Sequence, residues 1–283
     1  LFPVNQENGE LAQRLTRSPC PRYPRGVKLC RFVLKEDPET VRSGIHHDGR
    51  FFETDGEQAI GIRDPGQVHL LPPIGLSPSI RLFEILTDTH GEQSLTYRYA
   101  NPSDLYGPNS EIKLPEMASS ADFDLRVVGA IRETGEAVLS SEAPGFVLGY
   151  SLLLTFKAID LLEDRPDYAP ADDLAGVLGP FVVTPEDLTE FTVGSDPTQL
   201  AFNYQIKVND DEIVRGAVEA EMPFGQMLEF ASKVRRVHSA DLLAWPPLEK
   251  PAAEVSSLGR GVLPGDRIEA TVDGFGTLVA RIS

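Results

Sequence analysis

Residues 121–131 read A-D-F-D-L-R-V-V-G-A-I, and this stretch decides the fold class of the chain. Its second half is continuously apolar, which is typical of a strand that is buried on both faces. Residues 145–154, G-F-V-L-G-Y-S-L-L-L, have the same character. We therefore predict two buried strands here.

The sequence around these two strands predicts a mainly β (α+β) fold. Further short runs bounded by glycine and proline favour strands at residues 27–33, 180–184, 200–208 and 267–273. Residues 41–54 predict a hairpin, because Asp48-Gly49 supplies turn residues that tolerate positive φ. Only residues 224–234 have clear helical spacing of apolar side chains. Many strands with few helices indicate a packed β architecture.

Glycine and proline are concentrated at residues 55–80, and the run ends in Leu71-Pro72-Pro73. We predict a boundary there, with a small N-terminal domain at 27–78 and a larger domain at 79–283. Residues 1–26 are rich in proline, lack the apolar core of a signal peptide and predict an extended arm. Two interpretations of this arm are open: it packs on a partner subunit, or it is a loose terminus.

Composition excludes several classes of partner. The chain has 283 residues, 41% of them hydrophobic, and a net charge of −17. An acidic protein is repelled by nucleic acid and by anionic membrane surfaces, so neither is expected as a partner. No stretch approaches the roughly 20 apolar residues of a membrane span. Two cysteines, Cys20 and Cys30, predict a reduced, cytoplasmic setting, with a single bridge between them left open.

Common catalytic motifs are missing from the sequence. It has no glycine-rich phosphate loop, no CxxC pair, no HExxH and no GxSxG. His46 and His47 are adjacent on a predicted strand and point to opposite faces, so they are not expected to share a metal ion.

Several segments, taken in order, resemble the core of the fumarylacetoacetate hydrolase superfamily. They are Leu71-Pro72-Pro73, Asn101-Pro102-Ser103, Gly107-Pro108-Asn109, Ile112-Lys113-Leu114-Pro115, residues 121–131, residues 146–160, residues 179–184, Val208-Asn209-Asp210 and residues 263–278. The resemblance implies a mixed β-sandwich roll with a small N-terminal domain, residues 79–283 being the catalytic domain. It also implies a homodimer that acts on a small-molecule substrate.

Members of that superfamily form an enolate from a β-dicarbonyl acid or a related ketoacid, and a divalent ion held by carboxylates stabilises it. Here the two glutamates of the family's E-x-E pair correspond to Asp124 and Arg126, and its metal-binding aspartate corresponds to Thr155. Residues 124 and 126 share a strand face, so the guanidinium would point toward the metal position. We therefore expect no metal and no cofactor.

The same alignment identifies candidate catalytic residues. Arg126 is a candidate electrophile in place of the metal, because a guanidinium binds a carboxylate or enolate with two parallel hydrogen bonds. Lys157, at the family's serine position, is a candidate helper, and Thr155 a candidate substrate contact. The alternative is that Asp124 and Arg126 form a local pair on a relic site.

Two further groups are implied by the resemblance. His90 and Glu92 correspond to the family's H-x-x-E pair, shortened by one residue, and His90 is a candidate general base. Tyr97, Arg98 and Asn101 lie where the family's substrate loop lines the pocket. The alternative for His90 is an exposed loop histidine without a function. The alternative for Tyr97 and Arg98 is an ordinary strand whose side chains alternate between two faces.

The preferred hypothesis is a metal-independent enzyme that acts on a β-dicarbonyl or polyketide-like substrate through an enolate. Cyclisation, dehydration, isomerisation and carbon–carbon cleavage all use such an intermediate. A non-catalytic relative that binds a ligand or a partner is the second hypothesis, and a conventional Mg²⁺- or Mn²⁺-dependent hydrolase or decarboxylase is the third.

Overall fold

Apolar runs of the sequence form two mixed β-sheets in the computed structural model, which describes residues 27–283 apart from 57, 166, 168, 221 and 249–257. In chain order the strands are β1 (Lys28–Leu34), β2 (Asp37–His47), β3 (Arg50–Thr54), β4 (Ala59–Arg63), β5 (Val68–Leu71), β6 (Ile80–Thr87), β7 (Gln93–Ala100), β8 (Leu105–Tyr106), β9 (Ser110–Ile112), β10 (Asp122–Ile131), β11 (Val147–Lys157), β12 (Ala175–Val183), β13 (Ala201–Val208), β14 (Asp211–Glu219), β15 (Leu242–Ala244), β16 (Arg267–Val272) and β17 (Gly276–Ile282). The α-helices are α1 (Ala143–Phe146), α2 (Ile159–Asp164) and α3 (Phe224–Val234).

The larger sheet has twelve strands in the order β4-β3-β2-β1-β12-β11-β10-β15-β6-β7, with β5 beside β1 and β8 beside β12. The smaller sheet has five, in the order β14-β13-β16-β17-β9. Three pairs are parallel, β12 with β8, β15 with β6 and β17 with β9. The mainly β class predicted from the strand pattern is confirmed.

The larger sheet is apolar on both faces. One face carries Phe123, Leu125 and Val127 and shares a core cluster with Tyr204 and Ile268 of the smaller sheet. The other face has its own cluster, which includes residues from β6, β10, β11, β12 and β15. All ten residues of β10 are buried. The continuous apolar run predicts this for the second half of the strand, residues 127–131.

Most of the predicted elements are confirmed. The predicted helix at 224–234 is α3, and its apolar side chains pack inward. The hairpin at 41–54 is formed by β2 and β3, with Asp48 at φ 47° and Gly49 at φ 73° in the turn. The strands predicted at residues 27–33, 200–208 and 267–273 are β1, β13 and β16.

The segment predicted as a boundary, residues 55–80, contains two short strands, β4 and β5. Both strands are short and flanked by glycine or proline, so their pattern resembles that of a loop. The N-terminal strands also join the larger sheet directly through pairing of β1 with β12. The division at residue 78 stays a prediction.

Two other expectations concern the N-terminal part, and a third concerns the chain as a whole. The proposed arm, with Cys20, lies outside the described residues, and Cys30 is a free, buried thiol whose pKa burial raises to about 12. His46 stacks on Phe181 at 4.6 Å, while His47 lies 3.3 Å from Asp48, consistent with opposite faces. In the part of the chain that the structure describes, no helix is long and apolar enough to cross a membrane.

Candidate functional site

The candidate site lies on one face of β10 and β11, where charged side chains interrupt the apolar sheet. Side chains alternate along β10, so Asp124 and Arg126 share the face opposite to Leu125. On the neighbouring strand, Thr155 lies directly opposite Asp124. Lys157 is two residues further along β11 and faces the same side. Alternation within each strand and the register of β10 with β11 therefore place all four polar groups together.

Arg126 is 1% exposed, and its guanidinium lies where the short strand β15 ends between β10 and β6. Nη1 donates to the carbonyl of Phe83 at 3.0 Å and to that of Trp245 at 3.1 Å. Nη2 donates to Oε1 of Glu84 at 2.6 Å. A buried cation with this set of acceptors holds β6 to the segment that follows β15.

Asp124 lies between two cations. Its Oδ2 is 3.6 Å from Nη2 of Arg126, and its Oδ1 is 3.7 Å from Nζ of Lys157. Both distances are ion pairs rather than hydrogen bonds. Oδ1 of Asp124, Oγ1 of Thr155 and Nε of Arg126 are buried and have no hydrogen-bond partner among the described residues. Buried polar atoms are rarely unsatisfied, so three in one place call for an explanation.

We call Glu84, Asp124, Arg126, Thr155 and Lys157 the charged cluster. The side chain of Glu84 is 37% exposed and that of Lys157 19%, whereas Asp124 is only 8% exposed. The cluster is therefore open to solvent at these two residues and closed behind them. The carboxylate of Glu84 is the more exposed of the two, so a small anion from solvent can compete with it for Arg126.

The divalent ion that the resemblance implies does not fit these residues. The one carboxylate at the expected ligand positions, Asp124, already faces a cation on each oxygen. A divalent ion would be repelled by both at these separations. No group of three His, Cys, Asp or Glu side chains in the described ranges is arranged to hold a metal.

Arg98 and Asn101 are bound to the segment that precedes β12. Arg98 is opposite Leu82 on β6, which places it on the same face as Glu84. Its Nε is 3.5 Å from Oδ2 of Asp172. The backbone N–H of Asn101 donates to Asp173 at 2.6 Å, and burial raises the pKa of that carboxyl.

Tyr97 is not brought to the charged cluster. It lies opposite Phe83, and the two rings are 5.2 Å apart on the face that packs against α3. Burial raises the pKa of its hydroxyl. Because successive residues of a strand face opposite sides, Tyr97 and Arg98 cannot both line one pocket on this sheet.

His90 and Glu92 also lie apart from the cluster, in the turn that joins β6 to β7. Oδ1 of Asp88 accepts hydrogen bonds from the backbone N–H groups of His90 and Glu92, both at 2.8 Å. Both side chains are exposed. The turn begins four residues after Glu84, about 13 Å along the strand. The catalytic role of the pair stays a prediction.

Sequence reasoning missed Glu84 and the carbonyl of Trp245. A signal for Glu84 was available, since it is the acidic residue inside the apolar run I-R-L-F-E-I-L. An unpaired charge is costly in such a strand, so a cationic partner could have been predicted. Nothing in the sequence indicates that Trp245 supplies a carbonyl to Arg126.

Comparison with known proteins gives a consistent result. Residues 84–283 match the family model described as fumarylacetoacetate (FAA) hydrolase C-terminal. An uncharacterised protein from Pyrococcus abyssi is 28% identical over 189 residues, which are 64% of this chain and 76% of that protein. One from Staphylococcus saprophyticus is 25% identical over 274 residues, covering 87% of this chain and 86% of its relative.

Solved structures share the fold over nearly the whole chain. The 5-carboxymethyl-2-hydroxymuconate delta-isomerase from Mycobacterium smegmatis has a TM-score of 0.71 and 20% identity, covering 90% of this chain and 98% of that one. The fumarylacetoacetate hydrolase from Exiguobacterium antarcticum has a TM-score of 0.71 and 19% identity, covering 91% and 99%. The predicted mixed β-sandwich roll is confirmed.

Proposed function

The chain belongs to the fumarylacetoacetate hydrolase family, and from this premise we propose that it is an enzyme that forms an enolate without a metal ion. In this proposal, fixed cations replace the divalent ion. The observation that carries it is the pair of cations at Asp124, where Lys157 and Arg126 lie within 3.7 Å of its two oxygens.

The unsatisfied atoms of the charged cluster support a bound ligand. A substrate hydroxyl or enol could donate to Oδ1 of Asp124, and its oxygen could accept from Oγ1 of Thr155. Both protein atoms are buried without hydrogen-bond partners in the described residues. Such preorganised groups stabilise developing charge more strongly than water does, because they need no reorientation.

The chemistry assigns one role to each residue. Asp124 accepts the proton from the carbon between two carbonyls, and the electrons of that C–H bond move to the carbonyl oxygen. The resulting enolate oxygen lies against Nζ of Lys157. A substrate carboxylate takes the place of Glu84 on Nη2 of Arg126, which exchanges one exposed carboxylate for another. Arg98 and Asn101 line the entrance on the same side.

The substrate we propose is a β-dicarbonyl acid. The relatives of known structure include enzymes named for 5-carboxymethyl-2-hydroxymuconate and for maleylpyruvate, both acids that enolise. Two cations next to an unsatisfied acceptor suit such an acid. A polyketide-derived dicarbonyl would meet the same requirement, and cyclisation, dehydration, isomerisation and carbon–carbon cleavage can all follow the enolate.

The proposal is tested by measuring the turnover of acylpyruvates and 2-hydroxymuconate-type acids. The signal is the loss of enol absorbance. We expect activity that EDTA does not change and that falls about 10²–10³-fold in Arg126→Gln, the usual cost of one preorganised donor. Lys157→Met should lose a similar factor, and Lys157→Arg should retain part of the rate. Activity lost to EDTA and restored by Mg²⁺ would establish a conventional metal enzyme instead.

A second function is favoured by the burial of Arg126. Its Nη1 is fully engaged by two backbone carbonyls, as expected for a cation that only holds the sheet together. A non-catalytic relative that binds an acid at Lys157 would have this geometry. Saturable binding of the same acids without any turnover would support that function.

A further inference from the structure

A second pocket lies far from the charged cluster, where the edge of β1 changes partner. Lys28 and Leu29 pair with β12, whereas the following residues from Arg31 onward pair with β5. At this fork the structure contains a cavity of about 140 Å³. We call it the Arg31 cavity.

Polar groups in the Arg31 cavity lie in one row across three strands. Arg31 on β1 is directly opposite Ser43 on β2, and Ser43 is directly opposite Thr54 on β3. Directly opposed residues of antiparallel strands point to the same face. One guanidinium and two hydroxyl groups therefore line the same side of the cavity.

The charge of Arg31 is not balanced by a carboxylate in the residues that the structure describes. Its Nη1 donates to the carbonyl of Pro72 at 3.1 Å, a neutral acceptor. Burial lowers the pKa of Arg31. The neighbouring Arg42 and Arg63, in contrast, both form ion pairs with Glu53. A partly buried, unpaired cation is costly, and a bound anion would reduce that cost.

The chain makes room for the guanidinium at Gly75. A Cβ atom at that position would lie only 2.1 Å from Nη1 of Arg31. Any residue other than glycine would therefore push the guanidinium out of its place beside the turn at residues 72–75. The guanidinium of Arg31 therefore lies directly against the turn at residues 72–75.

The rest of the cavity wall is apolar, formed by Leu29, Ile74, Leu148 and Val182. A site with one seated arginine, two hydroxyls and an aliphatic wall matches a carboxylate joined to a short apolar chain. We propose that the Arg31 cavity binds a small aliphatic monocarboxylic acid, with its carboxylate on Arg31 and its chain against Leu29, Leu148 and Val182.

The Arg31 cavity is separate from the proposed enolate chemistry. On β11, Thr155 follows Leu148 by seven residues, which corresponds to roughly 23 Å. An acid bound at Arg31 cannot reach Asp124 or Lys157. The proposal therefore stands whether or not the charged cluster is catalytic.

Titration of the full chain with hexanoate, followed by ¹H–¹⁵N NMR, tests the proposal. We expect saturable shifts at the amides of Leu29, Ser43 and Thr54 and none at Thr155. Arg31→Gln should weaken binding about ten- to a hundredfold, the usual range for hydrogen bonds to a charged group. Arg42→Gln is the matched control, because it removes an equal charge from a neighbouring strand and should leave binding unchanged.

Two further measurements separate the carboxylate from other causes. Hexanol, which has the same chain without the charge, should not produce the shifts. Ser43→Phe, at an exposed strand position, should weaken hexanoate binding by filling the cavity with the charge of Arg31 retained. The proposal would be overturned if hexanoate left the amide signals of the wild-type protein unshifted. It would also be overturned if hexanoate bound Arg31→Gln and Ser43→Phe as tightly as the wild-type protein.

Discussion

Two arginines, Arg81 and Arg126, are each 1% exposed and lie on opposite faces of the larger sheet. Arg81 donates to the carbonyls of Ala231, Arg235 and Arg236 at the end of α3, just as Arg126 donates to those of Phe83 and Trp245. In both places a guanidinium donates hydrogen bonds to backbone carbonyls. At Arg81, the carbonyls of Arg235 and Arg236 lie just beyond the end of α3, where the helix has no further N–H groups to donate to them.

The two arginines differ in their acidic partners. Arg81 pairs with Asp241, which is 0% exposed and also accepts from Ser79 Oγ and the His238 N–H, both at 2.8 Å. Arg126 pairs with Glu84, which is 37% exposed. A buried arginine with interior partners only is a structural element, whereas one with an exposed, exchangeable partner can also bind a ligand.

The largest effect is expected at Arg81. Arg81→Met leaves Asp241 charged, fully buried and without its cation, so the free energy of unfolding should fall by about 3–5 kcal/mol. Urea denaturation measures this. Arg236→Met is the control, because its ion pair with Glu136 is more than half exposed on both sides and should contribute little. Equal stability of the two variants would contradict the structural role of Arg81.

A smaller loss of stability is expected at Arg126. In Arg126→Gln, the shorter side chain places its amide group further from the two carbonyls that now accept from Nη1, and an unsatisfied buried acceptor costs about 1–3 kcal/mol. Urea denaturation should thus place this variant between wild type and Arg81→Met. A loss as large as that of Arg81→Met would contradict the smaller contribution to stability expected of Arg126.

Glu84 tests whether the partner of Arg126 is exchangeable. Glu84→Gln removes a competing carboxylate from Nη2, so an acidic substrate should bind about fivefold more tightly, equivalent to about 1 kcal/mol. The measurement is KM for the best acid, with kcat as the internal reference. A raised KM would mean that Glu84 itself contacts the substrate or holds Arg126 in place.

The smallest effect is expected in the turn between β6 and β7. His90 is exposed, and among the described residues its hydrogen bond is made by the backbone N–H, so His90→Ala should change the free energy of unfolding by less than about 0.5 kcal/mol. Turnover should change less than twofold if the charged cluster carries the chemistry. A general base typically increases the rate about 10²–10⁴-fold. A loss of turnover of that size in His90→Ala would indicate that His90 is a catalytic base.

Much of this molecule follows from local pattern. The largely apolar stretch at 123–131 predicts a buried strand, and the spacing at 224–234 predicts α3 with its bounds. Alternation along β10 was sufficient to place Asp124 and Arg126 on one face. Alternation applied to β7 would likewise have placed Tyr97 and Arg98 on opposite faces. The resemblance to a substrate loop instead led to the prediction that both line one pocket.

The sequence alone was sufficient for the buried strands β10 and β11, the β2–β3 hairpin, helix α3, the family and the charge that replaces the family's ligands. The groups that this charge contacts follow only from the folded chain. The carbonyls of Phe83 and Trp245 lie 43 and 119 residues from Arg126, and they converge because β15 is short and lies between β10 and β6. The physical reason is that side-chain direction is set by local backbone geometry, whereas the partner of a side chain depends on strand order and register, which involve the whole chain.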